Sequence, residues 1–239
     1  MTDGGLQAIA DGCPRIEELV LQDTESVLTD DGLVYAIQRF PSLQVLRVSP
    51  DGYLDEFQEK VTDATVMAVA SHCRSLKVLH LFNAALTDAS IITLVSNCPL
   101  LSSLGIGACD AYDSYPGITD ASLFAIAERC PLLKELNVSF CWRLTNAGII
   151  AIARSCPRLE NLGMDGCEWL REEAVISVAE NCPHLWGFGI EFMDGYEAEW
   201  YPAWKWLRDH VEFARFETRR PPGTRPMRDI LVAHPPPWL

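Results

Sequence analysis

The sequence predicts an α/β solenoid of about seven repeats, with a parallel strand ladder on its inner face and helices on its outer face. Three observations carry this expectation. The phrase Cys-Pro-x-Leu-x-x-Leu-x-Leu, with Ile, Val, Met or Phe admitted at the apolar places, opens at Cys13, Phe40, Cys73, Cys98, Cys130, Cys156 and Cys182. Phe40 stands where the other copies have cysteine, and Arg74 where they have proline. A second phrase, Thr-Asp followed by an apolar pattern, begins at Thr2, Thr29, Thr62, Thr87 and Thr119, continues as Thr145-Asn146 and degrades to Arg171-Glu172. The interval from this start to the anchor is 11 residues in all seven copies, which marks a unit of fixed length.

That unit reads as a helix of about three turns. In the copy from Thr119 to Arg129, Leu123, Ile126 and Ala127 share one face at i, i+3 and i+4. Thr119 can accept from the free amides at the helix start, Asp120 suits the positive end of the dipole, and Pro131 stops further winding. The stretch Leu133-x-x-Leu136-x-Val138 alternates as a short strand does when one face is buried. One helix and one strand cannot bury themselves alone, whereas stacked copies bury a continuous core.

The steps between anchors are 27, 33, 25, 32, 26 and 26 residues. Four lie in the range of roughly 20 to 29 residues of leucine-rich repeats, and two carry insertions. Because the helical unit keeps its length, both insertions fall between strand and helix, within Ser49 to Lys60 and Ala108 to Gly117, and emerge from one rim. They bring Tyr53, Phe57, Tyr112 and Tyr115 together with several carboxylates, and shorter loops on that side add Trp142 and Trp169. Aromatics on loops suit binding hot spots, and surrounding carboxylates would select a ligand rich in Lys or Arg. The competing reading folds the rings back over the core and leaves the acids solvated.

The inner face is the second candidate surface. Strand residues flanking the buried apolar position point outward, among them Arg47, His80, Phe82, Asn137, Asp165 and Glu191. Arg47, His80 and Phe82 make a bulky early patch. Gly105, Gly107, Gly163 and Gly189 either open the later part to a ligand backbone or relieve crowding.

All nine cysteines obey the repeat: six at the helix-end anchor, and Cys109, Cys141 and Cys167 at one offset after the strand. They read as small apolar fillers. Close pairs of the Cys-x2-Cys kind are absent, so zinc and disulfide frameworks are not expected; a metal or oxidation role for the stacked columns is the minor alternative. No phosphate loop, nucleophile elbow or zinc-protease motif occurs, and no enzyme or cofactor is expected.

The net charge of -14 disfavours nucleic acid and anionic membranes as partners, and no apolar run approaches the roughly 18 residues of a membrane span. The start lacks signal-peptide character, which points to a cytosolic or nuclear protein. The repeats are expected to occupy residues 1–192. Residues 193–239 are expected to form a cap and a Pro/Arg-rich tail: positions 200–239 carry seven basic and four acidic residues, and Trp204, Leu207 and Val211 have helical spacing.

The anchor phrase combined with Leu-Thr-Asp/Asn-x-Gly/Ala resembles the cysteine-containing leucine-rich repeats of the F-box family. The stretch from Leu136 to Gly148 is the closest copy, and the resemblance covers roughly residues 2 to 192. It implies a protein-binding module that holds the substrate of a Skp-cullin-F-box ubiquitin ligase, with Skp and cullin reached through an F-box. No F-box is visible here, and relatives without one act as adaptors or inhibitors. The first repeat, with Leu6, Ile9, Ile16, Leu19 and Leu21, has no polar cap upstream, so the expectation is either a piece of a longer protein or a partner covering that edge.

Overall fold

The computed structural model describes residues 1–22, 28–49, 61–107, 117–167, 169–189 and 213–215. Helices and strands alternate: α1 (Asp3–Gly12), β1 (Glu18–Gln22), α2 (Asp30–Ile37), β2 (Val45–Ser49), α3 (Asp63–His72), β3 (Val78–Leu81) and α4 (Asp88–Asn97). They continue as β4 (Ser103–Gly105), α5 (Asp120–Arg129), β5 (Glu135–Asn137), α6 (Asn146–Ser155), β6 (Asn161–Gly163), α7 (Glu172–Asn181), β7 (Gly187–Gly189) and β8 (Phe213–Arg215). The strands form one open parallel sheet in chain order. Each helix lies against the helices before and after it, which is the repeat solenoid the periodicity predicts.

The strand register converts the apolar pattern into a core. Leu19, Leu46, Leu79, Leu104, Leu136, Leu162 and Phe188 are register partners from strand to strand, and all are buried. The helix positions expected to face inward meet this ladder: Leu123 and Ile126 of α5 are fully buried, as are Ile149 and Ile152 of α6. Burying one such side chain contributes roughly 1.5–3 kcal/mol, so a seam of this length is the main cohesive force.

Each helix begins where the Thr-Asp phrase predicts. The threonine hydroxyl accepts from a backbone N–H in the first turn of α1, α2, α3, α5 and α6. The aspartate does more than face the dipole: its carboxylate reaches into the next repeat. Asp3, Asp30, Asp63, Asp88 and Asp120 each accept from the backbone N–H of the following copy's threonine, at 2.8–3.0 Å. Each also accepts from that threonine's hydroxyl, at 2.5–2.7 Å. Asn146 continues the ladder by accepting from the Arg171 N–H at 2.7 Å. One Asp per repeat thus satisfies an orphan amide of its neighbour and ties the stack along one edge.

The cysteines form two internal columns. Cys73, Cys98, Cys130, Cys156 and Cys182 terminate helices and are buried. Thiols of both columns donate to carbonyls of the preceding repeat: Cys98 to Cys73 O, Cys156 to Cys130 O, Cys141 to Ile106 O and Cys167 to Val138 O, at 3.3–3.6 Å. Cys13, at the outer end of the stack, departs from the filler expectation and is exposed. Cys109 lies outside the described residues.

The repeat does not stop where the sequence pattern does. β8 pairs with β7 in parallel, and Phe213 follows its register partner Gly187 by the same 26 residues that separate Gly187 from Asn161. The ladder therefore takes one more strand inside the segment expected to be cap and tail. The helical spacing of Trp204, Leu207 and Val211 falls outside the described residues, as does the rest of the tail.

Candidate protein-binding face

On the strands, every second side chain leaves the core. The row two residues before the expected outward pair also faces out of the core, so three rows cross the sheet rather than two. Glu18, Val45, Val78, Ser103, Glu135 and Asn161 make the first row, and Val20, Arg47, His80, Gly105, Asn137, Gly163 and Gly189 the second. Phe82, Gly107, Ser139 and Asp165 follow as the third row. The sequence expectation takes in only the flanks of the second apolar position of each strand, and the first row lies two residues before them.

The first and second rows are joined by a hydrogen-bond chain over three strands. His80 Nε2 lies 2.7 Å from Ser103 Oγ, and Ser103 Oγ donates to Glu135 Oε2 at 2.7 Å. A carboxylate only accepts, so the single serine proton points to Glu135. Nε2 of His80 must then carry the proton that it gives to Ser103 Oγ. Burial and the nearby Arg47 lower the His80 pKa, against an opposing effect of Glu135, which favours the neutral ring. In a hydrolytic triad the base takes the serine proton and an acid orients the base. Here the acid holds the serine, and Ser103 is buried, so the chain is a clamp that fixes the ring of His80.

Phe82 meets the His80 ring edge-on, with centroids 6.0 Å apart. Both rings lean over the next strand: a Cβ built at Gly105 would sit 3.1 Å from His80 Cγ and 3.2 Å from Phe82 Cζ. Asn137 occupies the space beside Gly163, and its Oδ1 accepts from Ser139 N at 3.0 Å. Asp165 lies 3.3 Å from a Cβ position at Gly189. The glycines therefore admit the side chains of the preceding strand, which is the crowding-relief reading at these positions. Arg47, His80, Phe82, Asn137 and Asp165 are all half-buried on this face.

At the rim after the strands the backbone turns through the left-handed region at one repeat position, in Asn83, Phe140 and Gly166. Phe140 has φ 61°, unusual for a bulky side chain, and its ring lies against Gly166. Beyond this turn Trp142 and Trp169 project from adjacent repeats, 38% and 62% exposed. Tyr53, Phe57, Tyr112, Tyr115 and Glu191, named with them from the sequence, lie outside the described residues.

The helix face differs in kind. Met67, Ile92, Phe124 and Ile176 occupy one helical position in four repeats and are 38–49% exposed. They form an apolar row on the outer face.

Among the described residues no group of three or more His, Cys, Asp or Glu side chains could hold a metal ion. Burial pushes the thiols of Cys73, Cys130 and Cys156 up to about 12 and those of Cys98 and Cys182 up to about 11. Thiolate is the reactive and metal-binding form, so this shift counts against the metal or redox alternative. Among the described residues no helix is long and apolar enough to cross a membrane.

The family described as Leucine Rich repeat matches residues 72–95 and 129–153. These stretches run from the last residue of α3 through β3 into α4, and from the last residue of α5 through β5 into α6. Among solved structures, the chain is similar to one in the Rad7 and Elc1 complex in yeast, at 15% identity and a TM-score of 0.45, covering 96% of this chain and 72% of that one. It is also similar to the tropomodulin C-terminal domain of Caenorhabditis elegans, at 16% identity and a TM-score of 0.42, covering 62% of this chain and 93% of that one. No curated protein matches the sequence.

Proposed function

We propose that the chain is a protein-interaction module that holds its partner on the strand face, from β2 to β6, and along the rim carrying Trp142 and Trp169. One contrast supports this above all. The buried positions repeat almost without change, as the leucine ladder and the Thr-Asp edge do, whereas the outward positions that are not glycine or valine vary, Arg47, His80, Phe82, Asn137 and Asp165 all being different. A scaffold needs the first kind of position and recognition needs the second. The insertion aromatics Tyr53, Phe57, Tyr112 and Tyr115 extend the same rim in this reading, and Glu191 the same face. With a net charge of -14, the surface steers a partner of basic overall character.

The finer reading is substrate recognition for a Skp-cullin-F-box ubiquitin ligase, supported by the cysteine-containing repeat phrase. In it residues 1–192 hold the substrate and residues 193–239 cap the stack and end as a tail. Purification of the native protein with its partners from cell extract tests this. Recovery of Skp and cullin together with a longer form of the chain is the expected result. A stable complex that lacks both would point instead to a stand-alone adaptor or inhibitor.

A further inference from the structure

We infer that the strand face recognises an extended segment of the partner bearing a carboxylate and a basic side chain four residues apart, the carboxylate seated on Arg47 and the basic group on Glu135. This rests on the strand face being the binding face. Its basis is a pair of charges that have no ion-pair partner among the described residues. Arg47 is half-buried in β2, between Val20 of β1 and His80 of β3, yet the described ion pairs join Arg39 to Asp11, Arg129 to Glu128 and Lys134 to Glu160. Among the described residues no hydrogen bond engages its guanidinium, in a protein with 33 acidic side chains. A partly desolvated guanidinium without a counter-charge is costly, and its flat fork matches a carboxylate in two parallel hydrogen bonds.

Glu135 is the complementary end. Oε2 is held by Ser103, which orients the carboxylate, and no described cation pairs with it. Between the two charges lies His80, locked by Ser103, while the Phe82 ring flanks it from the third row and leans with it over Gly105. A polar contact at each end with aromatic rings along the path is how a short extended peptide is oriented.

The spacing follows from sheet geometry. Three strand steps and two residues along the strand separate the Cα positions of Arg47 and Glu135 by roughly 16 Å. An extended peptide covers about 13 Å in four residues, and residues i and i+4 of a strand point the same way, so side-chain reach closes the difference. A phosphate would bring a second negative charge onto an acidic protein, which favours a carboxylate over a phosphate at Arg47.

A library of random 12-residue peptides displayed on phage, selected on the full chain and on its R47E, R47Q and F82A variants, tests the inference. Peptides selected by the native chain are expected to share Asp or Glu four residues from Lys or Arg, and to bind R47Q about 10- to 100-fold more weakly, the loss of one charge-assisted pair. Selection on R47E is expected to replace the shared acid by Lys or Arg. Titration of His80 by NMR gives a second readout. The charged groups that face it are Arg47 from β2, which lowers its pKa, and Glu135 from β5, which raises it, with Ser103 bonded from β4. A carboxylate on Arg47 should offset the first and raise the pKa of His80. Unchanged composition on R47E, with binding lost in F82A, would overturn the paired-charge inference and leave the strand face standing. Peptides indifferent to F82A, or none enriched, would contradict both.

Discussion

Asp88 accepts from the Thr119 N–H at 2.9 Å and its hydroxyl at 2.6 Å, and from the Ser122 N–H at 3.2 Å and its hydroxyl at 2.5 Å. Removing the carboxylate strands those donors at a half-buried joint between α4 and α5. Asp88→Ala is therefore expected to lower stability by about 2–4 kcal/mol in urea unfolding, and Asp88→Asn, which keeps an acceptor, by less. The sequence shows both residues of the phrase but not their connection. Thr and Asp are each intelligible as the start of their own helix, while the bond runs between copies more than 20 residues apart, where nothing local reports it. Gly166 is a second sensitive point: φ is +67°, and an added Cβ would run into the Phe140 ring. Gly166→Ala is expected to cost about 1–3 kcal/mol by the same measurement, because it adds a disfavoured backbone conformation to a steric conflict.

At the scale of the element, helices were more legible than strands. A fixed 11-residue unit with one cap and one anchor leaves little freedom, and the helix starts fall on the expected threonines. From β4 onward the strands have only three residues each, too few for alternation to show every outward row. That is why Ser103 and Glu135 went unseen beside His80. The cysteine column carries an element-scale consequence for pH. Thiols whose ordinary pKa is 9.0 are held at about 11 to 12 in the fold. Between these values the unfolded chain binds fewer protons than the native one, so stability must fall as pH rises above about 9. Unfolding followed from pH 7 to 10.5 should show this decline, and Cys156→Ala should make it shallower. An identical slope in the variant would mean that the thiol does not keep its proton in the fold.

For the whole molecule, the solenoid explains why a face rather than a pocket is the candidate site. Stacking places the strands side by side in strict register, so residues as far apart in sequence as Arg47 and Asp165 share one surface. The repeat made that surface legible. What occupies it was not, because a partner leaves its mark only in positions that break the repeat, and those have no pattern to read. The eighth strand was hidden for the same reason: β8 keeps the 26-residue step but lacks the anchor phrase that announces the others.

The most direct test compares the two broad faces through one residue type. The photoreactive amino acid p-benzoylphenylalanine, placed at Phe82 on the strand face or at Phe124 on the helix face, would be irradiated in cell extract with the full chain. The account predicts a specific cross-linked protein at position 82, competed away by unlabelled native chain, and none at position 124. Cross-linking of a specific protein at 124 but not at 82 would contradict it.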